Sequence, residues 1–146
     1  MHPASGRLLE SDDEIAALLA VTRRVAVLGI KPAWTEKPAY YVAAYAQRAG
    51  LEIIPVPVYY PDVVEILGAP VYRRVADVPQ PVDIVNIFRR PADVPPHIDD
   101  IIAKHPRAAW MQLGIRNDAA AARLTAAGID VVQDRCLLIE LQRLGR

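Results

Sequence analysis

Cysteine is almost missing from this chain: of 146 residues only Cys136 carries a thiol. A single cysteine excludes an internal disulfide framework and any paired-cysteine metal clip, and a lone thiol suits a reducing compartment, so the expected location is the cytoplasm. Neither sign of charge is in excess, since 17 Lys plus Arg face 17 Asp plus Glu. Binding along a nucleic-acid backbone calls for a basic surplus and is not expected, whereas a local basic pocket for one ligand is compatible with neutrality. Long uncharged runs are also lacking. The longest, Pro38 to Gln47, is ten residues, well short of the ~20 that cross a bilayer. No apolar stretch of the secretory kind opens the chain. Nucleic acid and membrane are therefore not expected partners.

What is present, 53% hydrophobic and 23% charged residues, describes one globular domain able to bury roughly 70% of the surface of its unfolded chain. No repeat or linker divides it, so residues 8–146 are read as one domain, with the small and polar residues 1–7 as a flexible tail. Ser11 followed by Glu14 is a capping-box pattern, and Ile15, Leu18, Leu19 and Thr22 repeat behind it at helical spacing, predicting a helix over about 12–21. The branched run 24–30 reads as a strand buried on both faces. Helix 39–49, ended by Gly50, strand 52–56, strand 82–88, helix 95–104 and strand 108–113 continue the alternation. A helix capped by Asn117, a strand at 129–132 and a helix at 137–144 complete it. Between Pro57 and Pro81 only a turn at Leu67-Gly68-Ala69-Pro70 and a short edge strand near 71–73 are suggested. This is the pattern of an α/β, Rossmann-like, doubly wound and mostly parallel sheet with helices on both faces.

Such sheets bind ligands outside the C-terminal ends of their strands, where the strand order reverses. With the order 3-2-1-4-5-6, the first strand lies beside 82–88, and the crevice opens between Gly29 to Pro38 and Phe88 to Pro91. Lys31 and Lys37 flank the turn into a helix start, whose amides favour phosphate. Arg89 and Arg90 face them, either as phosphate forks or as a solvated pair. The glycine fingerprint G-x-G-x-x-G is absent after Gly29, and no acid ends the second strand to hold a ribose, which weakens a nicotinamide-dinucleotide reading.

Catalytic signals are sparse. Cys136 has two readings, a thiol activated at a helix start or a small buried apolar side chain. His2, His97 and His105 lack metal-ligand spacing, and no nucleophile elbow or Walker A lysine occurs. Trp34 can stack on a base or anchor its loop, while Trp110, in mid-strand, reads as core. Tyr40, Tyr41, Tyr45, Tyr59 and Tyr60 can line a pocket or a subunit contact, which leaves a homodimer open.

Six segments in order, Val25-Ala26-Val27-Leu28-Gly29, Lys37-Pro38-Ala39-Tyr40-Tyr41-Val42, Glu65-Ile66-Leu67-Gly68, Phe88-Arg89-Arg90-Pro91, Trp110-Met111-Gln112-Leu113-Gly114-Ile115 and Asp134-Arg135-Cys136, make the chain resemble the small stand-alone CoA-binding domain proteins. Those proteins are related to the nucleotide-binding domain of the succinyl-CoA synthetase alpha subunit. The resemblance implies that coenzyme A or an acyl-CoA binds in the chosen crevice. The implied contacts are Gly29, Ile30, Lys31, Lys37, Pro38, Val56, Pro57, Phe88, Arg89, Arg90, Gln112 and Gly114. Where the family often reads G-A-S and V-N-P, this chain has Gly29-Ile30-Lys31 and Val56-Pro57-Val58, which removes a small hydroxyl and an amide side chain. Neither His97 nor His105 matches the phosphorylated histidine of the synthetases. The expectation is a noncatalytic binder of this small-molecule nucleotide ligand rather than an enzyme. The alternatives are an NAD(H)-binding redox sensor or small oxidoreductase, and a detached CoA-binding subunit of an acyl-CoA ligase.

Overall fold

The computed structural model describes residues 5–146. In chain order its elements are α1 (Asp12–Ala20), β1 (Arg24–Leu28), α2 (Pro38–Arg48), β2 (Glu52–Val56), β3 (Glu65–Ile66) and β4 (Ala69–Pro70). After these come β5 (Ile84–Ile87), α3 (Ile98–Lys104), β6 (Ala108–Met111), α4 (Asp118–Ala126), β7 (Asp130–Val132) and α5 (Leu137–Arg143). Five strands pair in parallel in the order β2-β1-β5-β6-β7, and β3 and β4 form a separate antiparallel pair. The chain is a single Rossmann-like α/β domain.

Alternation along the strands sends side chains to two apolar layers. Val25, Val27, Ile53, Ile84 and Trp110 pack with α1, α2 and α5, while Ala26, Leu28, Val56, Ile87 and Met111 pack with α3 and α4. Each fully buried Ile, Leu or Val contributes about 1.5–3 kcal/mol relative to exposure. Because both faces are covered, the strands can be short continuous apolar runs. The capping box forms as expected, with the Ser11 hydroxyl accepting from Glu14 N and the Glu14 carboxylate accepting from Ser11 N. The Asn117 side chain accepts from Ala120 N at the start of α4.

Three expectations are corrected. Among the described residues no strand lies outside β2, so the outermost position of the 3-2-1-4-5-6 order is empty of sheet; the β3–β4 hairpin hangs there, tied by Tyr72 N donating to Pro55 O at 3.0 Å. Its strand is 69–70 rather than 71–73, because Leu67 and Gly68 both take positive φ, 55° and 77°, and close a two-residue turn. Helix α3 starts three residues late, since Pro91–Asp93 and Pro95–His97 wind as tight turns whose prolines cannot donate to an α-helical ladder.

The flexible-tail reading of 1–7 falls partly on residues 1–4, outside the described residues. Beyond them the chain is already held: Gly6 N donates to Thr125 O at 2.7 Å, Val131 N to Arg7 O at 2.9 Å and Leu9 N to Val131 O at 2.8 Å. A Cβ on Gly6 would come within 2.1 Å of the Ile129 carbonyl oxygen, so only glycine permits this approach. Among the described residues, no helix is long and apolar enough to cross a membrane.

Candidate functional site

At the C-terminal end of β1 the backbone turns through Gly29 at φ +87°, with Gly29 N donating to Val56 O at 2.8 Å. A Cβ there would lie 2.3 Å from the Phe88 carbonyl oxygen, so the glycine is required by the close approach of the loops after β1 and β5. Ile30 turns into the core and is 1% exposed. Lys31 N donates to Ala39 O at 3.1 Å, tying the loop to the first turn of α2. That helix opens with Pro38, which has no N–H, and Tyr40 N already donates to Lys37 O at 2.8 Å. The Gly29 and Lys31 amides are thus committed within the protein, and the loops after β1 and β5 also present side chains to the crevice.

Those side chains surround a cavity of about 220 Å³ lined by Gly29, Lys31, Val58, Tyr59, Phe88, Arg89 and Arg90. It sits between the ends of β1 and β5, where the sheet order reverses. The two arginines differ sharply. Arg90 is 84% exposed and its Nε holds Asp93 Oδ2 at 2.9 Å. Arg89 is 15% exposed, 5.5 Å over the Tyr59 ring, with Nη1 at 3.4 Å from the Tyr59 hydroxyl and Nη2 at 3.9 Å from Asp93. Its Nε is buried without a partner, an arrangement that costs desolvation unless an acceptor arrives. The Arg89 guanidinium beside Tyr59 holds that phenol below the usual tyrosine range. Burial, then the Arg89 charge, pushes the His97 imidazole down, against the opposing pull of Asp100 and Asp93.

Arg73 shapes the tyrosine wall. Its guanidinium donates to the carbonyls of Tyr59, Tyr60, Pro61 and Val63 at 3.2, 3.2, 3.1 and 2.6 Å. The loop winds round one cation, and Tyr60 takes φ +64° to do so. Tyr60 in turn meets Trp34 edge to face at 5.3 Å, and Trp34 is 71% exposed rather than anchored in the core.

Of the residues expected from sequence, Gly29, Lys31, Phe88, Arg89 and Arg90 come together around this cavity. Lys37 and Pro38 are exposed at the start of α2 and Val56 and Pro57 are buried; none of the four lines it. Gln112 and Gly114 serve the scaffold instead. Gln112 Oε1 accepts from Asn86 Nδ2 at 3.2 Å and from Leu137 N at 3.3 Å, and Gly114 N donates to Asp134 Oδ1 at 2.6 Å. Trp110, fully buried, donates from its indole to Arg135 O at 2.8 Å, so the Trp110–Gly114 and Asp134–Cys136 segments clasp each other. Arg135 reaches Asp12 and Glu140, and Cys136 packs against the apolar layer below α5. Tyr59, one of the tyrosines expected to line a pocket or a subunit contact, does line this cavity, whereas Val58 was not among the expected contacts, although its place just after a strand end was a usable signal. Arg73 carried none, because its partners are carbonyls 10 to 14 residues away.

The sequence matches the family described as CoA binding domain over residues 23–142. The chain belongs to the CoA-binding domain family. It is 31% identical over 129 residues to uncharacterized protein YneT of Bacillus subtilis (strain 168), a match covering 88% of this chain and 93% of that one. A solved Thermus thermophilus protein, cell-free ID.343, is 35% identical with a TM-score of 0.84, covering 92% of this chain and 99% of its own. At the level of fold alone, the chain is similar to part of a dinucleotide forming acetyl-coenzyme A synthetase 1 of Ca. Korarchaeum cryptofilum, at 20% identity and a TM-score of 0.64. That match covers 74% of this chain and 25% of the synthetase.

Proposed function

We propose that this CoA-binding domain protein binds coenzyme A or an acyl-CoA without transforming it, with the ligand's phosphates at the mouth of β1 and β5. The observation that carries the reading is Arg89, a guanidinium mostly withdrawn from solvent that lines a cavity shared with Lys31 and Arg90 and whose carboxylate neighbour, Asp93, stands off at 3.9 Å. A phosphate in the cavity supplies this guanidinium with a closer, charged acceptor. Coenzyme A has a 3′-phosphate beyond its pyrophosphate, and NAD does not, so the extra cations favour coenzyme A. The binding-only part rests on Cys136, whose side chain packs on the core below α5 rather than at the crevice.

Calorimetric titration with coenzyme A, acetyl-CoA, NAD and NADP tests it. Coenzyme A and acetyl-CoA should bind at least tenfold more tightly than NAD, and acetyl-CoA should be recovered intact after incubation. Equal or tighter binding of NAD, or thioester hydrolysis lost in Cys136→Ala, would overturn the reading.

A further inference from the structure

A second cavity, of about 260 Å³, lies beside the first and has the opposite chemistry. Its walls are Pro32, Trp34, Tyr40, Ile66 and Leu67, and the one charged side chain in its lining is the carboxylate of Glu65. The two cavities are lined by neighbouring residues. Lys31 lines the first and Pro32, the next residue, the second; Tyr59 lines the first, and its neighbour Tyr60 touches the Trp34 ring of the second. Each alone falls short of the roughly 300–1,000 Å³ of small-molecule sites, and together they fall within it.

One ligand matching both would be polyanionic at one end and uncharged and apolar at the other. Resting on the coenzyme A reading above, we propose that the second cavity takes the uncharged arm and acyl end of an acyl-CoA, and that Glu65 selects a neutral short acyl group over one bearing a carboxylate. The polyanionic end belongs with Lys31, Arg89 and Arg90, since a phosphate beside Glu65 would meet a like charge. The arm leaves along the Lys31–Pro32 step and lies against Trp34 and Ile66. Arg73 holds the loop that carries Tyr59 and Tyr60 by four carbonyls, so the edge between the two cavities is fixed in shape. Acyl groups ending in a carboxylate place that charge against Glu65, at a partly wet site where repulsion is moderate and falls with salt.

The chain's two tryptophans make the test direct. Trp110 is fully buried and held by Arg135 O, whereas Trp34 is exposed on the second cavity, so a ligand-induced change of indole emission reports Trp34. Adenosine 3′,5′-bisphosphate, coenzyme A, butyryl-CoA and succinyl-CoA are titrated into the protein, Trp34→Phe and Glu65→Gln, by fluorescence and calorimetry. The bisphosphate, which has no arm, should bind without changing emission, and coenzyme A and butyryl-CoA should change it, the change vanishing in Trp34→Phe. Butyryl-CoA should bind about fivefold or more tightly than coenzyme A from added apolar burial. Succinyl-CoA, with the same carbon count, should bind about three- to tenfold more weakly than butyryl-CoA. Glu65→Gln should close that gap by raising succinyl-CoA affinity. If coenzyme A binds but emission is silent, or butyryl-CoA and succinyl-CoA bind alike, the acyl pocket is overturned and the coenzyme A reading survives. If none of the CoA compounds binds, both fall together.

Discussion

Replacing Arg89 with methionine should remove most of the preference of this protein for coenzyme A over dephospho-CoA, while Arg90→Met should leave it nearly intact. The difference follows from surroundings rather than residue type. Arg89 is 15% exposed, under the Tyr59 ring and beside the Phe88 backbone, so its contact with a phosphate is shielded from water. A charge-assisted hydrogen bond of this kind contributes about 1.5–3 kcal/mol, or roughly 10- to 100-fold in affinity. Arg90 is 84% exposed and already holds Asp93 at 2.9 Å; an exposed ion pair contributes about 0–1 kcal/mol, so its loss should cost about fivefold at most. Methionine keeps an apolar stem beneath Tyr59. It forfeits a cation–π contact of about 0.5–1 kcal/mol, but it also deletes the buried unpartnered N–H, and the two effects oppose each other. The melting temperature without ligand should therefore move by no more than about 4 °C. Calorimetric titration of both ligands into all three proteins at one ionic strength is the assay. If Arg89→Met retained the full preference, or if Arg90→Met lost it, the assignment of Arg89 to the phosphate would be refuted.

Two further outcomes are expected. Gly29→Ala should destabilise the protein by about 2 kcal/mol or more, ligand or none, because its Cβ meets the Phe88 carbonyl oxygen at 2.3 Å in a left-handed backbone; an unchanged urea midpoint would contradict this. His97, whose charged form is disfavoured by burial and by Arg89, binds fewer protons folded than unfolded, so its contribution to stability is present above the unfolded value near 6.5 and is lost as pH falls from there to the lower folded value. The fall in urea midpoint across that window should be shallower in His97→Gln than in the parent.

Much of the scaffold was legible because it rests on local rules. The Ser11–Glu14 cap, the apolar spacing of Ile15, Leu18 and Leu19, and the branched run Val25 to Leu28 each specify an element through interactions within a few residues, and each appears where expected. Of the hairpin 65–70 only the turn was legible, from Gly68; its strands were not, because no alternation marks a strand two residues long. In the site, the dibasic pair was visible in sequence but its division of labour was not. Two adjacent arginines look alike until Tyr59 covers one and Asp93 takes the other to the surface.

By itself the sequence determined the order of strands and helices, the two-faced burial of the sheet and the cationic loops at one end of it, since these depend on periodicity, caps and neighbours along the chain. Tertiary structure alone decided that Gly29 serves the Phe88 backbone, that Gln112 and Gly114 serve α5 and Asp134, and that Arg73 builds the wall carrying Tyr59. The reason is that hydrogen-bond capacity is finite. A donor or acceptor in the right place for a ligand is withdrawn from it when a distant part of the chain reaches it first, and only the packed fold shows which groups are left.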